Sequence, residues 1–104
     1  MARHLIKALI TKGFDMATSN KLRAEIGLGH AFTFIVNRVL ASASTPIVPL
    51  MINAFFPPNQ PLPSRCYALG KALAEAVKIW PADVRVAVIA SGGLSHFIID
   101  EEID

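Results

Sequence analysis

The run Ser91-Gly92-Gly93-Leu94-Ser95-His96 brings a proton-transfer group, two hydroxyls and two glycines together. A histidine can take or give a proton near neutral pH. The glycines let the backbone turn sharply and leave room beside it for a bound molecule. Ser95, Gly92 and Gly93 are therefore candidate substrate contacts, with His96 the candidate catalytic group. A plainer reading stands beside this one. Two glycines are often only a turn, serines next to glycine make local turn bonds, and a loop histidine is often merely solvated. His30 closes a polar, glycine-containing stretch at residues 20–29 and is the second candidate. Asn53 is a third, either facing the same cleft or capping the turn before Pro57. His4 falls within a predicted helix, where a surface or cap role suits it.

These residues need elements to position them. Leu5, Ala8 and Leu9 recur at helical spacing across residues 2–12, and Gly13 is a good stop. Residues 14–19 read as a short strand. Residues 31–40 are ambiguous: Phe32, Ile35, Val36 and Val39 have helical spacing, while their β-branching suits a strand; helix is preferred. Residues 41–45 form a loop. Residues 47–55 are an apolar strand, with Pro49 implying a bulge or an edge, and the proline-rich stretch 57–61 forms a rigid loop. Pro63 suits the first turn of a helix. One face of that helix carries Cys66, Leu69, Gly70, Leu73, Ala76, Val77 and Trp80, a stripe expected to pack on a sheet, and Pro81 ends it. Residues 84–90 then form an apolar strand. Its carboxyl end, where open α/β sheets bind ligands, is the Ser91–His96 run. The expected fold class is α/β, a central β-sheet flanked by helices.

Composition narrows the function classes. At 104 residues the chain is one domain at most. It is 53% hydrophobic and 17% charged, against about 25% charged in ordinary domains. So short and apolar a chain has more apolar surface than it can bury alone. That points to a homo-oligomer, most simply a two-fold dimer, through the faces bearing Phe32, Ile35 and Val39 or through residues 47–55. The net charge of +2 comes from scattered basic residues, so no nucleic-acid partner is expected. The lone Cys66 cannot form an internal disulfide, which fits a reduced, cytoplasmic setting. The start of the chain lacks the apolar core of a signal peptide. Asn37, Arg38, Pro46 and Pro49 interrupt its most apolar region, short of the roughly 20 residues of a membrane span.

Three segments together carry a resemblance. Residues 86–97 (Val86-Ala87-Val88-Ile89-Ala90-Ser91-Gly92-Gly93-Leu94-Ser95-His96-Phe97) resemble the signature of class III extradiol ring-cleavage dioxygenases, the family of the catalytic beta subunit of protocatechuate 4,5-dioxygenase. Gly27-Leu28-Gly29-His30-Ala31-Phe32 is similar to the family's Gly-Leu-Asp-His-Gly/Ala-Phe element. Residues 48–58, leading into Arg65-Cys66-Tyr67-Ala68-Leu69-Gly70, resemble its strand, proline loop and following helix. The matches keep the family's order and cover nearly the whole chain. In one departure, Gly29 stands where the common family form has aspartate, so His30 lacks a neighbouring carboxylate to orient or charge it.

The resemblance implies a reaction and its parts. Both atoms of dioxygen are inserted next to the two hydroxyls of a catechol-type aromatic, at Fe(II) held by two histidines and a glutamate. Two further histidines move protons, and by position these are His96 and His30. His96 is assigned as the base that takes the catechol proton, and His30 as the acid that protonates the peroxide-derived intermediate. Neither is expected to bind metal. The family's histidine ligands lie upstream of the matched segment and its glutamate well downstream of His96. His4 matches neither histidine, and Glu101 and Glu102 follow His96 too closely to match the glutamate. The chain is accordingly expected to be an interior fragment, residues 1–104 of a partial catalytic domain. It would hold the acid/base histidines without the iron ligands, so on its own it would bind no iron and be inactive. The alternative is a non-catalytic relative that uses its cleft as a protein- or peptide-binding module.

Overall fold

The computed structural model describes residues 1–21, 27–40, 42 and 44–93. Three helices form in chain order: α1 (Ala2–Thr11), α2 (His30–Arg38) and α3 (Pro63–Lys78). Each has a local cause. α1 ends at Gly13, whose φ of 79° is one that side-chain-bearing residues avoid. There the Gly13 N–H donates to the Ile10 carbonyl and the Phe14 N–H to the Leu9 carbonyl, both at 3.0 Å. That pair of bonds is the Schellman closure of a helix C-terminus. α2 starts from Gly29, whose carbonyl accepts from the N–H groups of Phe32 and Thr33 at 3.0 and 3.1 Å. α3 has Pro63 at its start, where the missing N–H costs nothing, and Lys78 in its last turn.

α1 and α3 pack against each other. Leu9 of α1 is 1% exposed, and it is buried alongside Ala72 and Ala76 of α3. The small alanines let the helix backbones approach. His4, near the start of α1, lies against the end of α3: its Nε2 is 2.8 Å from the Ala76 carbonyl oxygen. Its ring meets Trp80 edge-on, with centroids 4.9 Å apart. At the other end of α1, Arg65 donates to the Gly13 carbonyl at 2.6 Å and covers the Phe14 ring at 3.9 Å. The two helices therefore run antiparallel, and Lys12 pairs with Glu75 between these end contacts. His4 is an interhelical contact, where the sequence pointed to the surface or a cap.

The α/β expectation is overturned. The described residues contain three helices and no strand, so no central sheet lies between flanking helices. Residues 14–19, 47–55 and 84–90, each expected as a strand, carry no ladder. Their composition fits a pleated, half-buried surface. A strand exists only where its N–H and C=O groups pair with a neighbour, and no described segment supplies that neighbour. Residues 84–93 are accordingly exposed throughout. The apolar stripe of α3 is real, with Cys66, Leu69, Leu73, Val77 and Trp80 half-buried and Gly70 exposed. It packs on α1 because α1 is the apolar face that this chain offers it.

Candidate functional site

His30 is the first residue of α2. Gly29 serves as N-cap with extended backbone (φ −57°, ψ 160°), and no side chain caps the helix. The His30 side chain is exposed, and its carbonyl accepts from the Thr33 hydroxyl at 3.3 Å. An imidazole held at a helix start and open to solvent can exchange a proton with a molecule bound beside it.

The segment that ends in the glycine pair comes to the same place. The Ser91 hydroxyl donates to the carbonyl of Ala31, the residue after His30, at 3.1 Å. Gly92 then takes φ 127°, a conformation that suits glycine. The structure thus brings Ser91, and with it Gly92 and Gly93, to the first turn of α2. Ser95 and His96 lie outside the described residues, as do Glu101 and Glu102.

Asn53 organises its own loop. Its Oδ1 accepts from the N–H groups of Phe55 and Phe56 at 3.2 and 2.9 Å. Its Nδ2 donates to the Phe56 carbonyl at 2.6 Å and to Asn59 Oδ1 at 2.7 Å. Gln60 adds a bond to the Phe55 carbonyl at 2.9 Å. Asn53 thus takes the turn-capping position, with both ends of its amide engaged. Around it Met51, Ile52, Phe55 and Phe56, together with Asn59, line a shallow apolar hollow. Sequence reasoning missed two features here: the Ser91–Ala31 bond, and the parts played by Asn59 and Gln60. An asparagine shortly before a proline pair signals a turn, but nothing in the sequence marks which carbonyl a serine sixty residues away will reach.

Among the described residues no three His, Cys, Asp or Glu side chains gather where they could hold a metal ion. Cys66 is a free, half-buried thiol. No helix of the described residues is long and apolar enough to cross a membrane.

The chain belongs to the family of the catalytic LigB subunit of aromatic ring-opening dioxygenase, whose model matches residues 1–104. It is 34% identical over 106 residues to the gallate dioxygenase of Pseudomonas putida, covering 97% of this chain and 29% of that protein. It is 35% identical over 97 residues to a 2,3-dihydroxyphenylpropionate/2,3-dihydroxicinnamic acid 1,2-dioxygenase of Mycobacterium ulcerans, covering 92% of this chain and 29% of the relative. A Comamonas testosteroni protein of the same name is 30% identical over 96 residues, again 29% of its length. The chain therefore spans a little under a third of the length of these curated relatives. No solved structure matches it.

Proposed function

We propose that this chain supplies the proton-transfer part of an extradiol ring-cleaving dioxygenase acting on catechol-type aromatics with dioxygen. The observation that carries the reading is the family match over the whole chain, taken with an exposed histidine at the start of α2 to which the Ser91–Gly93 segment is tied. His96 takes a proton from a catechol hydroxyl, which lets the substrate bind as its anion. His30 returns a proton as the ring opens. Gly92 and Gly93 leave space beside the ring, and Ser95 donates to it; Asn53 contributes to the same wall once its loop bonds are exchanged for substrate.

The family resemblance implies Fe(II), which when bound would activate dioxygen and the catecholate. The described residues of this chain do not fit an iron site, and the chemistry derived for them is proton transfer alone. The names of the relatives make gallate and 2,3-dihydroxyphenylpropionate the substrates to test. Oxygen uptake and formation of the ring-opened product by the enzyme containing this chain test the reading. Cleavage next to the two hydroxyls supports it, and no turnover of either catechol, or of protocatechuate, contradicts it.

A second reading has its own support: a non-catalytic relative that binds a peptide or protein. Met51 is 80% exposed and Phe56 67% exposed beside the apolar hollow, and Gly29 leaves His30 without a neighbouring carboxylate. No turnover of any of these catechols by the enzyme containing this chain would favour it; turnover that survives removal of both His30 and His96 would instead contradict the proton-transfer roles.

A further inference from the structure

The hydrogen bond from Ser91 to Ala31 joins two segments sixty residues apart that no helix packing holds together. α2 packs on neither α1 nor α3, and residues 84–93 are exposed. Among the described residues this is the side-chain hydrogen bond that ties one segment to the other. Its acceptor has the geometry for the task. A backbone carbonyl has two lone pairs, so the Ala31 oxygen can accept from Ser91 while serving its own helix. Its donor sits immediately before Gly92, whose φ of 127° suits glycine. Fixing Ser91 on Ala31 thus places Gly92 near His30.

We propose that Ser91 is a positioning residue for the reaction. Its hydroxyl sets the separation between His30 and the Gly92–Gly93 turn, and it acts through that placement without itself exchanging a proton. The proposal rests on His30 being a proton-transfer group. Removing the hydroxyl frees the segment to move, and misplacement by about 1 Å can lower a rate by as much as a hundredfold.

The test is steady-state ring cleavage by the complete enzyme carrying Ser91→Ala, Ser91→Thr or His30→Ala, with oxygen uptake measured in water and in heavy water. Ser91→Ala should lower kcat about tenfold with little change in KM. Its solvent isotope effect should rise, because proton transfer becomes the slower step. Ser91→Thr, which keeps the hydroxyl, should restore kcat to within about twofold of the parent. A merely structural serine would lower the amount of folded enzyme and leave the isotope effect unchanged. An unchanged kcat in Ser91→Ala, or a loss that Thr does not rescue, overturns the positioning role. If that happens while His30→Ala is strongly impaired, the acid/base reading itself still stands. If His30→Ala retains full activity, both fall together.

Discussion

At the scale of single residues, the proposed proton transfer depends on what stands next to His30. Gly29 occupies an N-cap with extended backbone, and a Cβ added there would meet nothing within 4 Å. Aspartate is a favoured N-cap, and a carboxylate at a helix start interacts well with its exposed N–H groups. Gly29→Asp is therefore expected to fit without strain and to stabilise the folded chain by about 0.5 kcal/mol. A thermal midpoint in the variant that is equal to or lower than the parent's would contradict the capping geometry. The two halves of the Asn53 side chain make a separate point. Its four local bonds hold the 53–60 loop closed, so Asn53→Ala should both loosen that loop and remove the proposed substrate contact, and an unchanged KM for the catechol in the complete enzyme would contradict that contact. Ser91 shows how little of a site's geometry a motif carries: the type of residue is legible, the carbonyl it reaches is not.

At the scale of elements, the core is the α1–α3 pair. Leu9 is the most deeply buried large side chain there. Leu9→Ala is expected to destabilise the pair by about 2–3 kcal/mol, toward the low end for such changes because the interface is narrow. Loss of helical circular dichroism on mild heating would report it, and an unchanged melting curve would contradict it. The Lys12–Glu75 pair gives this interface a pH dependence. Glu75 has its carboxyl lowered below 4.5, chiefly by the Lys12 hydrogen bond and charge, with Lys71 and Lys78 adding to it. Because the folded-state value is the lower one, the stabilisation is present above the ordinary carboxylate range and is lost as pH falls through the folded value. Parent and Glu75→Gln should differ in thermal midpoint near neutral pH and converge as pH falls below the ordinary carboxylate range. Both groups are exposed, so the difference will be small; a gap that persists in acid would contradict the assignment.

All three helices were legible in the sequence. Their causes are local: the 3.6-residue spacing of Leu5, Ala8 and Leu9, the Gly13 stop, the Pro63 start and the stripe on α3. What was not legible was anything that depends on a distant neighbour. Residues 84–90 have a strand's composition, but pairing is not a property of the segment, and the expected sheet is absent from the described residues. The partner of α3 was mistaken for the same reason. The apolar stripe says that a face will be covered and does not say by what. His30, expected at the end of its loop, is the first residue of α2, one position before the expected helix at residues 31–40; the glycines before it are the local signal.

At the scale of the whole molecule, the chain exposes more surface than a compact domain of its size. Its radius of gyration is 15.5 Å, against about 13 Å for a domain of this length. Its accessible surface is 9204 Å², where a compact monomer of this mass exposes about 5,700 Å². Val39, Met51, Phe56 and Val88 are among the large apolar side chains left exposed. Surface of that kind marks a contact region, and we propose a second copy of the chain as its occupant. Sedimentation of a dilute sample should show a species larger than the 11.2 kDa chain; a stable, soluble monomer would count against it. The central claim, that this chain carries proton-transfer histidines and not metal ligands, is tested most directly by pairing a metal analysis with ring-cleavage rates for His96→Ala and His30→Ala in the enzyme containing this sequence. The account predicts a fall in kcat of at least about a hundredfold for each variant, with metal content equal to that of the parent. Loss of metal together with activity in either variant would make that histidine a ligand and contradict the account.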